Sequence, residues 1–570
     1  MKIPVSIPAE TFRIRTIDVI VFFIIIGILS FIVYIASTWS EPYERALEID
    51  LNPENIPEYA IQSLARIFFA YLMSLIFSIW YGYTASRSKI HEKIMIPVLD
   101  ILQSIPVLSF LPGVVLAMIA LFPGQRIGLE IACILLIFTG QVWNMTFSFY
   151  HSISTIPKEM HEVVKLFKLN KFSKFLRLDL PFSAIGLIWN SMMSVAGGWF
   201  FLMACEMFVL EDKDFRLPGI GSYIQTAANA GNIEYVMYGL GTMIFLIILL
   251  DLFIWRPLIV WSQRFRLESI PPEDERESFV LNLFTGSLFL RKIGDLLTNF
   301  VNKIEKLSYK KFINNENKLL MKISKISGLI FLTFLSLLIL WAFTKAIDLV
   351  SSVDLNQIIT IIKSSFYSLL RVTAAIIIAL SWTLPVGVYI GLNPRAAKFL
   401  QGIVQIAASV PATAIFPVIL LFLIKVGGGL NIGAIFLMLL GTQWYLLFNI
   451  IAGASAIPKD LIEISRAYGI KGIKKWKTLI LPGIFPYLVT GLITASGGAW
   501  NATIVSEYVS FGGDIMKTEG LGALISASSA SGDFGMLLIS TCFMSAIVVG
   551  INRLIWKRLF MLAKTKYVLE

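Results

Sequence analysis

Apolar runs long enough to cross a membrane recur along the chain. They lie at roughly 17–39, 61–84, 96–122, 128–150, 182–209 and 234–262, and again at roughly 326–347, 365–391, 400–425, 431–452, 483–509 and 532–560. A helix needs about 20 apolar residues to span a hydrocarbon core about 30 Å thick. The pattern predicts an all-α polytopic membrane protein with about twelve transmembrane helices, six and six. Between the sets lies a polar stretch that opens on Pro271 and Pro272 and the charge run Glu273 to Glu277. In it Ile293, Leu296, Leu297, Phe300, Val301, Ile304 and Leu307 fall on one helical face, which predicts an amphipathic helix on the membrane surface or on the protein itself. The expected division is a first repeat at 1–262, a cytoplasmic linker at 263–325 and a second repeat at 326–570. The run at 17–39 lacks a small-residue cleavage site after it and is expected to be a retained helix.

Composition agrees. Of 570 residues 56% are hydrophobic and 15% charged, and the mean hydropathy is +0.77. A soluble chain carries about 25% charged residues. The net charge of +11 reflects Lys and Arg held in cytoplasmic loops, not a nucleic-acid surface. Loops after the second and fourth runs are basic (Arg87, Lys89, Lys93; Lys158 to Arg177), and the loop after the first is acidic (Glu41 to Glu58). This alternation predicts a multi-pass protein of the cell membrane with both termini and the linker cytoplasmic. Cys133, Cys205 and Cys542 all sit in apolar runs, and His91, His151 and His161 are scattered, so no disulfide framework or metal site is expected.

The second set repeats the first. Ser63-Leu64-Ala65-Arg66 returns 305 residues on as Ser368-Leu369-Leu370-Arg371, and Ser104-Ile105-Pro106 as Ser409-Val410-Pro411. From about 140 the offset is 301. Trp143 matches Trp444, Leu180-Pro181 matches Leu481-Pro482, Trp199 and Glu206 match Trp500 and Glu507, and Gly219-Ile220-Gly221 matches Gly520-Leu521-Gly522. Parallel repeats of this kind place a transport pathway between the halves.

The loop after the fourth run of the second repeat reads Glu463-Ile464-Ser465-Arg466-Ala467-Tyr468-Gly469, then, after nine residues, Leu479-Ile480-Leu481-Pro482. It resembles the EAA…G…LP loop of the membrane subunits of binding-protein-dependent ABC importers. The first repeat has Glu162-Val163-Val164 and Leu178-Asp179-Leu180-Pro181 at the same spacing, with Lys168 where Gly469 stands. Lysine is strained at the positive φ that glycine permits. The resemblance covers about 60–262 and 365–560. It implies a short helix in each loop that docks on an ATPase, with Glu162, Val163, Val164, Lys168, Pro181, Glu463, Ile464, Ser465, Gly469 and Pro482 as coupling residues. On the second helix Leu461, Ile464 and Tyr468 share a face, expected to pack on the membrane domain, with Lys459, Glu463 and Arg466 elsewhere.

Each half is most similar to permeases of the nitrate, sulfonate and taurine type, in the S-x-P start of the third run, the late acidic residue of the fifth, the Gly-x-Gly beyond it and Trp255-Arg256-Pro257-Leu258. The resemblance implies a small anionic solute, with nitrate, an organic sulfonate, bicarbonate or a non-anionic thiamine precursor left open. The chain has no phosphate-binding loop of the G-x-x-x-x-G-K-[ST] form. It is therefore expected not to be an enzyme and to hold no cofactor. ATP and Mg²⁺ belong on two copies of a separate ATPase, and an extracytoplasmic binding protein delivers the solute.

Charges inside apolar runs are costly and need an explanation. Glu206 and Glu507, with Trp199, Trp500 and Asn501, are candidates for the pathway or its gate; pairing and helix packing are the plainer alternatives. Asp251 is expected to hydrogen-bond between helices, and Arg66 and Arg371 to snorkel outward. The glycine clusters at 196–198 and 497–499 suit either close packing or a flexible gate. A secondary transporter of the major-facilitator kind, using those carboxylates, is the main rival, and a membrane scaffold or receptor without transport the third reading.

Overall fold

The computed structural model describes residues 48–167, 169–210, 213–265, 346–351, 353–426, 429–511 and 514–566, with scattered positions between 23 and 42 and between 280 and 344. The spans expected at 17–39 and 326–347 and the linker helix lie largely outside the described residues.

In the first repeat, α1 (Ile56–Ala85) is followed by α2 (Lys89–Ser104), α3 (Leu111–Leu121) and α4 (Ile127–Ser154). Next come the short α5 (Lys158–Leu166) and α6 (Lys171–Lys174), then α7 (Leu180–Glu206). A hairpin of β1 (Val209–Leu210) and β2 (Lys213–Asp214) leads to α8 (Ile220–Asn229), α9 (Ile233–Leu250) and α10 (Arg256–Ser262).

The second repeat has the same order. It runs α11 (Leu355–Leu392), α12 (Pro394–Ser409), α13 (Ala412–Val426), α14 (Gly429–Ser455), α15 (Lys459–Ala467), α16 (Gly472–Lys475) and α17 (Leu481–Ser506). Antiparallel β3 (Tyr508–Phe511) and β4 (Asp514–Lys517) precede α18 (Leu521–Ser531), α19 (Phe534–Ile551) and α20 (Lys557–Lys566). Eight continuous rods among the described residues are long and apolar enough to span a bilayer.

The third run of each repeat departs from the expectation of one straight span. Helices α2 and α3 meet at 81°, and α12 and α13 at 78°. Proline causes both breaks. It lacks an N–H and forces the preceding residue out of the helical region. Ile105, before Pro106, is extended at ψ 123°, and Val410, before Pro411, at ψ 119°.

The rods that end in α7 and α17 begin earlier than the hydropathy suggests. They start at Lys171 and Gly472, so Pro181 and Pro482 lie inside a helix and do not open it. A π-helical turn precedes each, at Phe175–Asp179 and Trp476–Ile480. The wider turn makes room for a proline that cannot donate. A second symmetric pair sits at Asp251–Trp255 and Asn552–Trp556. The first precedes Pro257; the second precedes Arg558, so this turn forms without a proline as well.

Contacts divide the chain into two units. One comprises 1–40, 151–189 and 249–325 and holds α5, α6 and α10; the other comprises 41–150, 190–248 and 326–570. The larger unit has a core in which α11, α14 and α17 pack side by side around Leu446, Ile450, Ile484 and Ala495. Close approach there requires small residues. A Cβ on Gly387 of α11 would stand 2.7 Å from Ile450 Cγ2 of α14. Gly387→Leu is expected to lower the thermal unfolding midpoint of the detergent-purified protein, at a cost of about 1–3 kcal/mol. An unchanged midpoint would show that α11 and α14 are not in this contact.

Candidate functional site

The short helices α5 and α15 follow Pro157 and Pro458, which cap them without a side-chain hydrogen bond. At the end of α15 Gly469 adopts φ +65°, and Ile470 N–H returns to Ser465 O at 2.9 Å, a Schellman closure. The first repeat makes the equivalent bond from Leu169 N–H to Val164 O at 3.1 Å. Lys168 itself lies outside the described residues.

The inner face of α15 is not the one its spacing suggested. Ser465 is buried and Ile462 packs on the core with Ile457 and Trp476, whereas Ile464 and Tyr468 are 50% and 81% exposed. Leu461 is half-buried and Glu463 exposed. On α5, Glu162 is exposed and Val164 half-buried, while Val163 and Phe167 are 48% and 69% exposed. Val163 and Phe167 correspond to Ile464 and Tyr468 at the 301-residue offset. Both repeats therefore expose an apolar pair at matched positions, one on the short helix and one at the residue that ends it, and α5 exposes Leu166 as well. Helical periodicity groups residues on a face but does not say which face the tertiary structure covers.

The acidic pair of the fifth spans is buried and paired. Glu206 accepts hydrogen bonds from Arg66 Nη1 at 2.6 Å, Ser63 Oγ at 2.7 Å and Gly221 N–H at 2.7 Å. Glu507 does the same with Arg371 Nη1 at 2.9 Å, Ser368 Oγ at 2.8 Å and Gly522 N–H at 2.9 Å. Ser63 and Ser368 accept in turn from Ile220 and Leu521 N–H. Each carboxylate so sits at the N-terminus of α8 or α18, where free N–H groups and the helix dipole favour negative charge. Gly219 and Gly520 leave the room: a Cβ on either would collide with the carboxylate. Arg66 is wholly buried and Arg371 nearly so. The snorkelling expected of them from the sequence does not occur, because their partners lie 136 to 140 residues away in the chain.

The clamps differ in one layer. Arg66 also holds Glu130 through Nε at 2.6 Å, and Glu130 pairs with Arg126 at 3.1 Å. Arg126 bonds Gln62 as well. In the second repeat Asn431 stands at the place of Glu130 and Gly427 at that of Arg126. Arg371 reaches Asn431 Oδ1 at 2.7 Å and Thr518 Oγ1 at 2.9 Å instead. One cation and one anion are lost together, so both clusters stay neutral. Glu130 escaped the sequence reading although a carboxylate in an apolar run was a signal, and its pairing with Asn431 at the repeat offset was another. Asp251, at the start of its π-helical turn, pairs at 2.8 Å with Arg256, the first residue of α10.

Trp199 and Trp500 are fully buried in packing. Asn501 on α17 accepts from Val107 N–H at 2.7 Å, capping the broken span of the other repeat; Phe200 holds its place in the first repeat. Pro181 and Pro482 are half-buried in the rods described above.

Duplicated bundles of apolar spans, each with a broken third span and a short exposed helix between its fourth and fifth, define a membrane-embedded transport component. The chain belongs to the family of binding-protein-dependent transport system inner membrane components, which matches residues 56–255 and 383–558, one stretch in each repeat. It is 26% identical over 191 residues to the nitrate import permease protein NrtB of Synechococcus elongatus, covering 33% of this chain and 65% of that protein. It is 32% identical over 120 residues to the putative aliphatic sulfonates transport permease protein SsuC of Escherichia coli, covering 21% and 44%. It is 31% identical over 126 residues to the bicarbonate transport system permease protein CmpB of Synechocystis, covering 22% and 44%. The chain thus spans 44% to 65% of the length of these relatives.

Arg66→Met is expected to cost about 3–5 kcal/mol, because it strands two buried carboxylates. The double change Arg126→Gly with Glu130→Asn copies the second repeat and is expected to cost less than either single change, which leaves a net charge in the cluster. Unfolding midpoints of the four variants check this. A double variant as unstable as the sum of the singles would overturn the charge-balance account.

Proposed function

We propose that this chain is the transmembrane subunit of an ATP-driven importer for a small anion, with both termini and the linker in the cytoplasm. The observation that carries the reading is the matched apolar pair at the short helices, Val163 on α5 with Phe167 at its end and Ile464 on α15 with Tyr468 at its end. Large apolar side chains exposed on a polar helix suit a partner's groove. Two such helices fit two copies of an ATPase subunit, which carry the ATP and Mg²⁺; Glu162 and Glu463 lie on the polar flank. A solute-binding protein delivers the anion from outside. The nitrate, sulfonate and bicarbonate proteins named above support an anionic solute.

In this scheme closure of the ATPase pair draws α5 and α15 together and opens the pathway outward. A few residues after each short helix a rod begins, at Lys171 or Gly472, and runs through a π-helical turn to a carboxylate clamp, so motion at the ATPase that is passed across that connection reaches α8 and α18 along one helix per repeat. The secondary-transporter alternative lacks its mechanism: Glu206, Glu507 and Asp251, the carboxylates it requires, are each paired with an arginine.

Phe167→Asp and Tyr468→Asp are expected to remove the ATPase that co-purifies from solubilised native membranes, at about two copies per chain in the unaltered protein. The unfolding midpoint of the membrane subunit should not move, since both side chains are exposed. Full co-purification with the double variant would place the docking surface elsewhere.

A further inference from the structure

The two glycine clusters mark where the repeats meet inside the membrane. Gly197 of α7 and Gly498 of α17 are equivalent at the 301-residue offset. The ring of Tyr445, from α14, lies over Gly498, where a Cβ would stand 3.2 Å from Cε2. Its hydroxyl reaches on to Gly197 of the other repeat. A Cβ there would meet that oxygen at 3.6 Å and nothing else within 4 Å among the described residues. Asn144 holds the position of Tyr445 in the first repeat, so this reach is made from one side only.

Two buried polar groups without partners sit beside this notch. Gln141, fully buried on α4, lies against Gly198; its Oε1 accepts from Ser74 Oγ at 3.4 Å, while Nε2 has no partner. Ser194, 2% exposed, is one turn before Gly197 and Gly198 on the same face of α7, and its hydroxyl also has no partner. Unpaired buried donors are costly, and folded proteins rarely tolerate them without a ligand or water to receive them. Among the described residues the site holds an amide, a hydroxyl and a phenol and no charge. The clamp carboxylates Glu206 and Glu130 are eight and eleven residues away along their helices, about 12 and 16 Å.

We propose that Tyr445, Ser194 and Gln141 form a station for a small oxyanion midway through the pathway, a proposal that rests on the anion-import reading. Neutral donors replace part of the hydration shell of a singly charged oxyanion without holding it as a fixed cation would, as a through-passage requires. The open face of Gly197 gives the anion room, and the one-sided Tyr445 covers it.

The test uses the full chain reconstituted with its ATPase and binding protein in proteoliposomes, with nitrate, methanesulfonate and bicarbonate as probes. Tyr445→Phe, Ser194→Ala and Gln141→Leu should each lower the maximal uptake rate about tenfold, the loss of one hydrogen bond to a charged ligand. ATP hydrolysis and ATPase co-purification should persist, so the ATP used per anion rises. Tyr445→Phe and Ser194→Ala lose only a hydroxyl, and they decide the matter if Gln141→Leu fails to fold. Wild-type uptake rates and ratios among the probes in both would overturn the station while leaving the importer intact. An unaltered complex that takes up none of the three anions would overturn the anion reading, and the station with it.

Discussion

A guanidinium buried among membrane spans cannot be left unpaired, and Arg66 and Arg371 each settle on the carboxylate that ends the fifth span of their own repeat. Breaking such a pair leaves an uncompensated charge in a medium that solvates it poorly. Each pair therefore fixes several elements at once: the start of the second span, the end of the fifth, the strand hairpin beyond it and the N-terminus of a short helix. Serine hydroxyls and backbone N–H groups fill the remaining valences of the carboxylates, as a costly buried ion pair requires. The glycines beside them are small because the carboxylate occupies the space a side chain would take.

The fused chain lets two repeats share a frame and differ in detail. The clamp, both proline breaks and all four π-helical turns are kept. In the clamp cluster the charges are exchanged as a balanced set, Arg126 and Glu130 against Gly427 and Asn431. Elsewhere the repeats diverge: Asn501 corresponds to Phe200, and Tyr445 to Asn144. A symmetric pair of identical subunits would have to place every such group twice. One chain can put a tyrosine on one side of a narrow interface and leave the other side open.

The short helices follow a different rule from the spans. Their hydrophobic residues are not all spent on the protein's own core. Ser465 and Ile462 face inward, and Ile464 and Tyr468 outward. Each short helix is followed, a few residues on, by a rod that begins at Lys171 or Gly472 and carries a π-helical turn near its start.

The sequence by itself determined the class of the protein. Apolar run length is set by bilayer thickness, so hydropathy located the rods Ile56–Ala85, Ile127–Ser154 and Gly429–Ser455 to within a few residues. Collinear repetition gave the duplication, and the Glu-to-Leu-Pro loop gave the family. Proline is a local rule, yet hydropathy averages over it, so the breaks at Pro106 and Pro411 and the early start of the rods at Lys171 and Gly472 were not read. Only the tertiary structure decided the pairing of Arg66 with Glu130 and Glu206, 64 and 140 residues apart, and which face of α15 is covered. Such facts belong to contacts between elements: a charge or an apolar side chain carries no mark of its partner until packing brings the partner to it.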